Sequence, residues 1–302
     1  MVRAAAECGV DAVKFQTVRA GQLVSRKETA RFERLTSFEL SDAEYLELSR
    51  LAHELGLLFV STPLYLDAVA MLEPLVDAYK IASGDNDFLP LIEKVAQTGK
   101  PVILSSGVST LAQVEAAVAT VRRIRGSDAP LGVLQCVSSY PTPPGEAQLS
   151  AIPLIAQNFR CVTGYSDHTL GIDACVLAVG AGARILEKHF TLDKNLSDFR
   201  DHALSADPAE MRELVCRVRA AEAMLGDGDK RIQPCEEAEA VTIRRSIAAA
   251  RDLKQGATIT ASDLKWIRPG SGLRPGQEAV LIGRRLRRDL AADELLSESD
   301  VE

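Results

Sequence analysis

Short apolar runs alternate with longer amphipathic ones along this chain. The runs at 11–16, 57–61, 78–83, 102–106, 132–136, 162–165 and 184–189 are too short for helices and are bounded by turn residues, so they predict strands. Between them lie helix-like stretches with defined start signals. Ser41-Asp42-Ala43-Glu44 and Thr110-Leu111-Ala112-Gln113 have the form of capping boxes, and Asp207-Pro208 places a cap before a first-turn proline. Strand and helix alternating at this spacing predict a parallel α/β fold.

Polar residues close nearly every predicted strand: Lys14 and Gln16, Ser61 and Thr62, Lys80 and Ser83, Ser105 and Ser106, Ser138 and Tyr140, Ser166 and His168, Glu187 and His189. A doubly wound sheet gathers its site at one switch point, whereas a (β/α)8 barrel gathers it from all strand ends, so the barrel fits better. Seven strands are predicted, and the chain opens inside a helix, 2–8, that ends at Gly9. An eight-stranded barrel needs one strand before that helix. The expectation is a TIM barrel whose first strand is missing from this chain, and the alternative is a barrel left open at one side.

The pattern changes after the helix predicted from Pro208 to Leu225. Gly226-Asp227-Gly228-Asp229-Lys230 breaks it, a charged segment follows, and from Arg244 short strands alternate with Gly and Pro turns. The predicted division is a barrel over 1–225, a linker over 226–241 and a small β-rich domain over 242–302.

Composition narrows the class. Of 302 residues, 46% are hydrophobic and 25% charged, values that exclude disordered, collagen-like and disulfide-scaffold chains. A net charge of −7 argues against a broad nucleic-acid surface. The uncharged stretch from Ala174 to Ala183 is far shorter than the roughly 20 residues that span a bilayer, and charges at Glu7, Asp11 and Lys14 leave no room for a secretory leader. Six scattered cysteines without CxxC spacing read as reduced, largely buried thiols in a cytoplasmic protein.

The candidate chemistry sits at the strand ends. His168 and His189 close consecutive strands, where two imidazoles could share one divalent ion or serve as buried structural residues. Lys14 and Lys80 follow apolar strand residues and need an anion, either a ligand or a carboxylate such as Glu187 or Asp85. A Schiff-base lysine is a third reading, and it would imply an aldolase. Ser83, Ser105, Ser106, Ser138 and Ser139 offer hydroxyls and backbone N–H groups suited to phosphate or carboxylate, or to ordinary turns. Nucleotide and serine-hydrolase fingerprints are absent. Arg268, in Arg268-Pro269-Gly270-Ser271-Gly272, reads as a solvated turn residue.

These strings together resemble the sialic acid synthase (N-acetylneuraminate synthase) family. The resembling segments are 9–16, 61–63, 79–85, 99–107, 136–143, 164–169 and 187–190, and the region from Arg244 through Gly270 resembles that family's antifreeze-like (SAF) domain. The resemblance implies condensation of phosphoenolpyruvate with an N-acetylated hexosamine, commonly N-acetylmannosamine, giving a nine-carbon 2-keto acid and phosphate. It further implies a divalent metal, Mn2+ with Mg2+ or Co2+ as alternatives, on His168 and His189. Lys14, Lys80, Ser83, Ser105 and Ser166 would hold phosphoenolpyruvate, with Thr62 and Ser138 also lining the substrate site. Gln16, Asp85, Tyr140, Glu187 and Asp201 match catalytic positions. A homodimer exchanging its small domains is implied, with Arg268 touching the sugar. The family's first strand carries an acidic-Ile-Gly motif and an Asn-His pair absent here. Ser138 stands where asparagine is usual and Leu64 where an aromatic is common, so legionaminic, pseudaminic and spore-coat sugars are alternative products. A non-catalytic sugar-binding protein is the alternative outside the enzymes.

Overall fold

Seven parallel strands form one sheet in sequence order: β1 (Ala12–Thr17), β2 (Leu58–Pro63), β3 (Ala78–Ile81), β4 (Val102–Ser105), β5 (Leu131–Cys136), β6 (Val162–Asp167) and β7 (Ile185–Lys188). The structure, a computed structural model, describes residues 1–197 and 200–302. All seven predicted strands are present. β1 and β7 are the two edges, and among the described residues neither has a strand on its outer side. Two units separate between Gly226 and Asp227.

Helices form where the start signals predict them. The capping boxes at Ser41–Glu44 and Thr110–Gln113 are closed in both directions, and Asp207 accepts from Ala209 and Glu210 N–H groups at 2.9 Å before the helix Pro208–Leu225. Apolar helix faces pack on the outer face of the sheet around Tyr45, Phe59, Tyr79, Leu91 and Ile92, none of them exposed. Buried tyrosine hydroxyls are satisfied, Tyr45 by the Gln16 carbonyl at 3.0 Å and Tyr79 by the Val69 carbonyl at 2.6 Å.

Register decides which side chains share the inner face. Lys14 stands beside Val60, Gln16 beside Thr62, Lys80 beside Ile103, Cys136 beside Ser166 and Ser166 beside Glu187. Facing neighbours in a parallel ladder point to the same side, so these residues line one surface and the alternate ones meet the helices. Space on the inner side is tight. A methyl group on Gly164 would lie 2.6 Å from Leu134 and against the Ile185 carbonyl, which only glycine avoids.

The second unit pairs β8 (Ser246–Ala249) with β9 (Leu264–Ile267) antiparallel, around a core containing Ile247, Leu281, Leu286 and Leu296. Among the described residues no helix is long and apolar enough to cross a membrane. Cys8, Cys136 and Cys175 are buried, Cys161 is half-buried, and Cys216 and Cys235 are exposed, so burial covers only part of the cysteine set. All six are free thiols.

Candidate active site

The C-terminal ends of the strands bring two lysines and one carboxylate together. Glu187 Oε1 lies 3.1 Å from Lys14 Nζ and Oε2 lies 3.6 Å from Lys80 Nζ, which selects Glu187 over Asp85 as the carboxylate partner. Lys80 is only 3% exposed and donates to Ser105 Oγ at 2.6 Å and to the Ile81 carbonyl at 3.2 Å. Ser166 Oγ donates to Glu187 at 3.4 Å. Burial alone would raise the Glu187 pKa, but Lys14 and Lys80 outweigh it and hold it down at about 2. Burial lowers the Lys80 pKa, against the pull of Glu187. Two ammonium groups against one ionised carboxylate leave a positive surplus in this cluster, which suits an anion.

Beside it stand the two histidines, ring centroids 5.2 Å apart. His168 Nδ1 lies 2.7 Å from the Val137 carbonyl. A carbonyl only accepts, so Nδ1 carries the hydrogen and Nε2 is the ring position available to a cation. Burial opposes the charged form of His168, but Cys136 and the Val137 carbonyl outweigh it and raise its pKa, so holding a cation would require the Nε2 proton to be lost. Burial, Lys14 and His168 lower the His189 pKa to about 3, leaving a neutral imidazole. Asp201 Oδ2 stands 3.9 Å from His189 Nδ1. Tyr140 packs against both rings, tilted to His168 with centroids 4.1 Å apart and edge-on to His189 with centroids 6.0 Å apart. Nitrogen donors held in this way fit a borderline divalent ion. Among the described residues no group of three or more His, Cys, Asp or Glu could hold a metal, and His168 with His189 is the nitrogen pair that would.

A third group surrounds Gly107, whose N–H donates to Ser83 Oγ at 3.1 Å. A methyl group there would lie 2.6 Å from Ser83 Oγ and collide with Ser138 Oγ, so both hydroxyls close on this glycine. Asn86 holds the loop by donating to the Ser105 and Gly107 carbonyls, each at 3.2 Å. Thr62 is fully buried and among the described residues its Oγ1 has no partner, which leaves a hydroxyl for a ligand to satisfy.

Lys14, Lys80, Ser105, Ser166 and Glu187 are thus joined by direct contacts, His168, His189, Tyr140 and Asp201 form the adjoining group, and Ser83 and Ser138 meet at Gly107. Gln16 lies on the edge strand and is exposed. Asp85 follows β3 in the Ser83 loop, where burial and then Asp87 raise its pKa, and its carboxylate makes no ion pair with either lysine. Arg268 is exposed at the end of β9, in the other unit. Sequence reading passed over Asn86, and it took Cys136 for an ordinary core thiol although its sulfur stands 3.9 Å from His168 Nδ1. The signal for Cys136 was its place two residues after Leu134 on the same strand face. Two cavities, of about 440 and 210 Å³, lie at the opposite, N-terminal strand ends near Pro130, Leu131 and Val162, away from this chemistry.

The family model described as NeuB family matches residues 1–230, and the one described as SAF domain matches residues 244–302. An uncharacterized protein of Methanocaldococcus jannaschii is 43% identical over 302 residues, spanning 100% of this chain and 88% of that protein. The N,N'-diacetyllegionaminic acid synthase of Legionella pneumophila is 39% identical over 308 residues, spanning 97% of this chain and 86% of the relative. Among solved structures, the N-acetylneuraminic acid (sialic acid) synthetase from Leptospira borgpetersenii, in complex with citrate, superposes with a TM-score of 0.75 at 33% identity, over 79% of this chain and 82% of that one. With a matching family model over its first unit and synthases among its relatives, the chain belongs to the NeuB family, an enzyme of the sugar-acid synthase kind carrying a SAF domain in its second unit.

Proposed function

We propose that this protein condenses phosphoenolpyruvate with an N-acetylated hexosamine, N-acetylmannosamine or a relative, to a nine-carbon 2-keto sugar acid and phosphate. The observation that carries the reading is the surplus of positive charge at Lys14, Lys80 and Glu187 beside the two imidazoles. Phosphoenolpyruvate brings a carboxylate and a phosphate, and the lysines with Ser105, Ser166, Ser83 and the Gly107 N–H offer charge-assisted hydrogen bonds to both. Its C3 bonds to the aldehyde carbon of the open-chain sugar, water adds at C2, and phosphate leaves from that adduct.

His168 and His189 would hold a divalent ion, Mn2+ first among the candidates, which when bound supplies Lewis-acid polarisation of the aldehyde oxygen. Tyr140, tilted against the His168 ring and edge-on to the His189 ring, restricts water there and orients the sugar's reacting end. Glu187 keeps its proton off and holds both lysines in place as the anion arrives. Gln16, Thr62, Asp85, Ser138 and Asp201 would complete the hydrogen bonding to substrate. Arg268 of a partner subunit would meet the sugar in a homodimer that exchanges its small domains. The free thiols support a reducing, cytoplasmic setting. Legionaminic-type products are equally compatible, since a relative with that name is among the most similar.

The test is phosphate release from phosphoenolpyruvate with Mn2+ and a panel of N-acetylated hexosamines. Release that depends on one sugar and is lost in both His168→Ala and His189→Ala supports the reading. Near-normal turnover in both variants removes the metal assignment, and a borohydride-trapped adduct on Lys14 or Lys80 replaces the condensation with an aldolase.

A further inference from the structure

Behind the histidines, on the outer face of the sheet, lies an ion pair that the proposed chemistry does not use. Lys188 and Asp167 are 2% and 0% exposed in their side chains, and Lys188 Nζ stands 2.8 Å from Asp167 Oδ2. The same ammonium donates to the Thr169 carbonyl at 2.6 Å. Asp167 is saturated with donors: the Tyr165 hydroxyl at 3.1 Å, the Thr169 N–H at 2.8 Å, the Cys175 thiol at 3.4 Å and Lys188 itself.

The position of the pair in the chain gives it meaning. Lys188 immediately precedes His189, and its two acceptors belong to the residues on either side of His168. Asp167 and Lys188 also face each other as the last rung of the β6–β7 ladder. The histidines stand one residue past that rung, where no ladder bond joins the two strands. Their carbonyls are held separately, His168 by the Thr142 N–H at 2.9 Å and His189 by the Ala206 N–H at 2.8 Å, in two different loops. A buried pair is a weak source of net stability, because desolvating two charges offsets their attraction. A saturated pair spanning two strands does, however, hold them at one separation.

We propose that the Asp167–Lys188 pair is a brace that sets the separation and tilt of the two imidazoles, with both residues acting as positioning residues. It rests on His168 and His189 being the working pair of the site. Losing the brace lets the ends of β6 and β7 move independently. The hydrogen bond from His168 Nδ1 to Val137, which requires the ring to stand in one orientation, is then the first thing to loosen.

The experiment uses the full chain, 15N-labelled at histidine and free of metal, with its four histidines assigned by substitution. The double variant Asp167→Asn/Lys188→Met removes both buried charges together and should melt within a few degrees of the wild type. Its His168 Nδ1–H signal should lose protection from solvent exchange, and the His168 and His189 ring signals should shift or broaden. Mn2+ should bind about 10- to 100-fold more weakly, the range for lost outer-sphere support. Tyr165→Phe, which takes one donor from Asp167 and leaves Lys188 in its double grip, should lose stability with the histidine signals in place. Histidine signals and Mn2+ affinity within twofold of wild type in the double variant overturn the brace. If that variant does not fold, Asp167→Asn/Lys188→Gln, neutral at both positions and with an arm too short to reach both acceptors, carries the same expectations and the same refutation. A wild-type protein that fails to bind Mn2+ removes the metal reading, while the imidazole signals still decide the brace.

Discussion

Replacing Glu187 by glutamine keeps the shape and removes the charge between two lysines. Attraction between Glu187 and Lys80 at 3.6 Å is roughly 5 kcal/mol at an effective dielectric of about 20, before desolvation is subtracted. Lys14 keeps 23% of its side chain in solvent, so its share is screened to less than about 1 kcal/mol. Lys80, 3% exposed, has no such relief, and its bonds to Ser105 and Ile81 use two of its three hydrogens without neutralising its charge. Removing one partner of a buried pair typically costs about 3–5 kcal/mol, and the remaining amide dipole returns part of it, so about 3 kcal/mol is expected. In a unit of this size that lowers Tm by roughly 6–12 °C. The loss also has a sign in pH. The folded-state pKa of Lys80 already lies below its ordinary 10.5, so its contribution to stability falls as pH drops from above that value. Glu187→Gln lowers the folded pKa further, so the penalty should be larger at pH 7 than near 10.5 and shrink as pH rises through that range. Calorimetry of both proteins across that range decides it. A Tm change under about 2 °C at pH 7, or a penalty that grows with pH, would refute the reasoning.

Gly107→Ala drives a methyl group against Ser83 and Ser138 and should raise the KM for phosphoenolpyruvate about tenfold or more while the protein still folds; an unchanged KM would separate that turn from the substrate. Asp207→Ala removes the cap that accepts from Ala209 and Glu210, costing about 1 kcal/mol in unfolding measurements with activity intact. Arg268→Ala should raise the KM for the sugar more than that for phosphoenolpyruvate, and the reverse pattern would take it out of the sugar site.

Much of this was legible in the chain. Apolar runs located all seven barrel strands because each is short, apolar and bounded by turn residues, and the capping boxes at Ser41 and Thr110 are local chemistry that needs no distant partner. The polar residues after each strand marked the site because parallel strands bring all their C-terminal ends to one side. What stayed hidden was which neighbours in a string act together. Ser166 and His168 read as polar residues at one strand end and Asp167 between them carried no reading, yet Ser166 lines the inner face while Asp167 is buried behind the sheet with Lys188. Asp85 and Glu187 were equal candidates for the lysines until register placed Glu187 beside Ser166 and within reach of both. Cys216 and Cys235 looked like the buried thiols, but Cys216 stands on an exposed face of the helix Pro208–Leu225 and Cys235 in the exposed turn Pro234–Glu236.

The sequence by itself determined the kinds of element, their order and the family, because propensity, caps and motif strings are properties of neighbours in the chain. Tertiary structure alone decided that Lys14, Lys80 and Glu187, from the first, third and last strands, share one charge cluster, and that Lys188 grips both flanks of His168. The physical reason is register. Each strand presents opposite faces at alternate residues, and only its hydrogen-bonded alignment with the next strand fixes which residues share a face and stand close enough to interact.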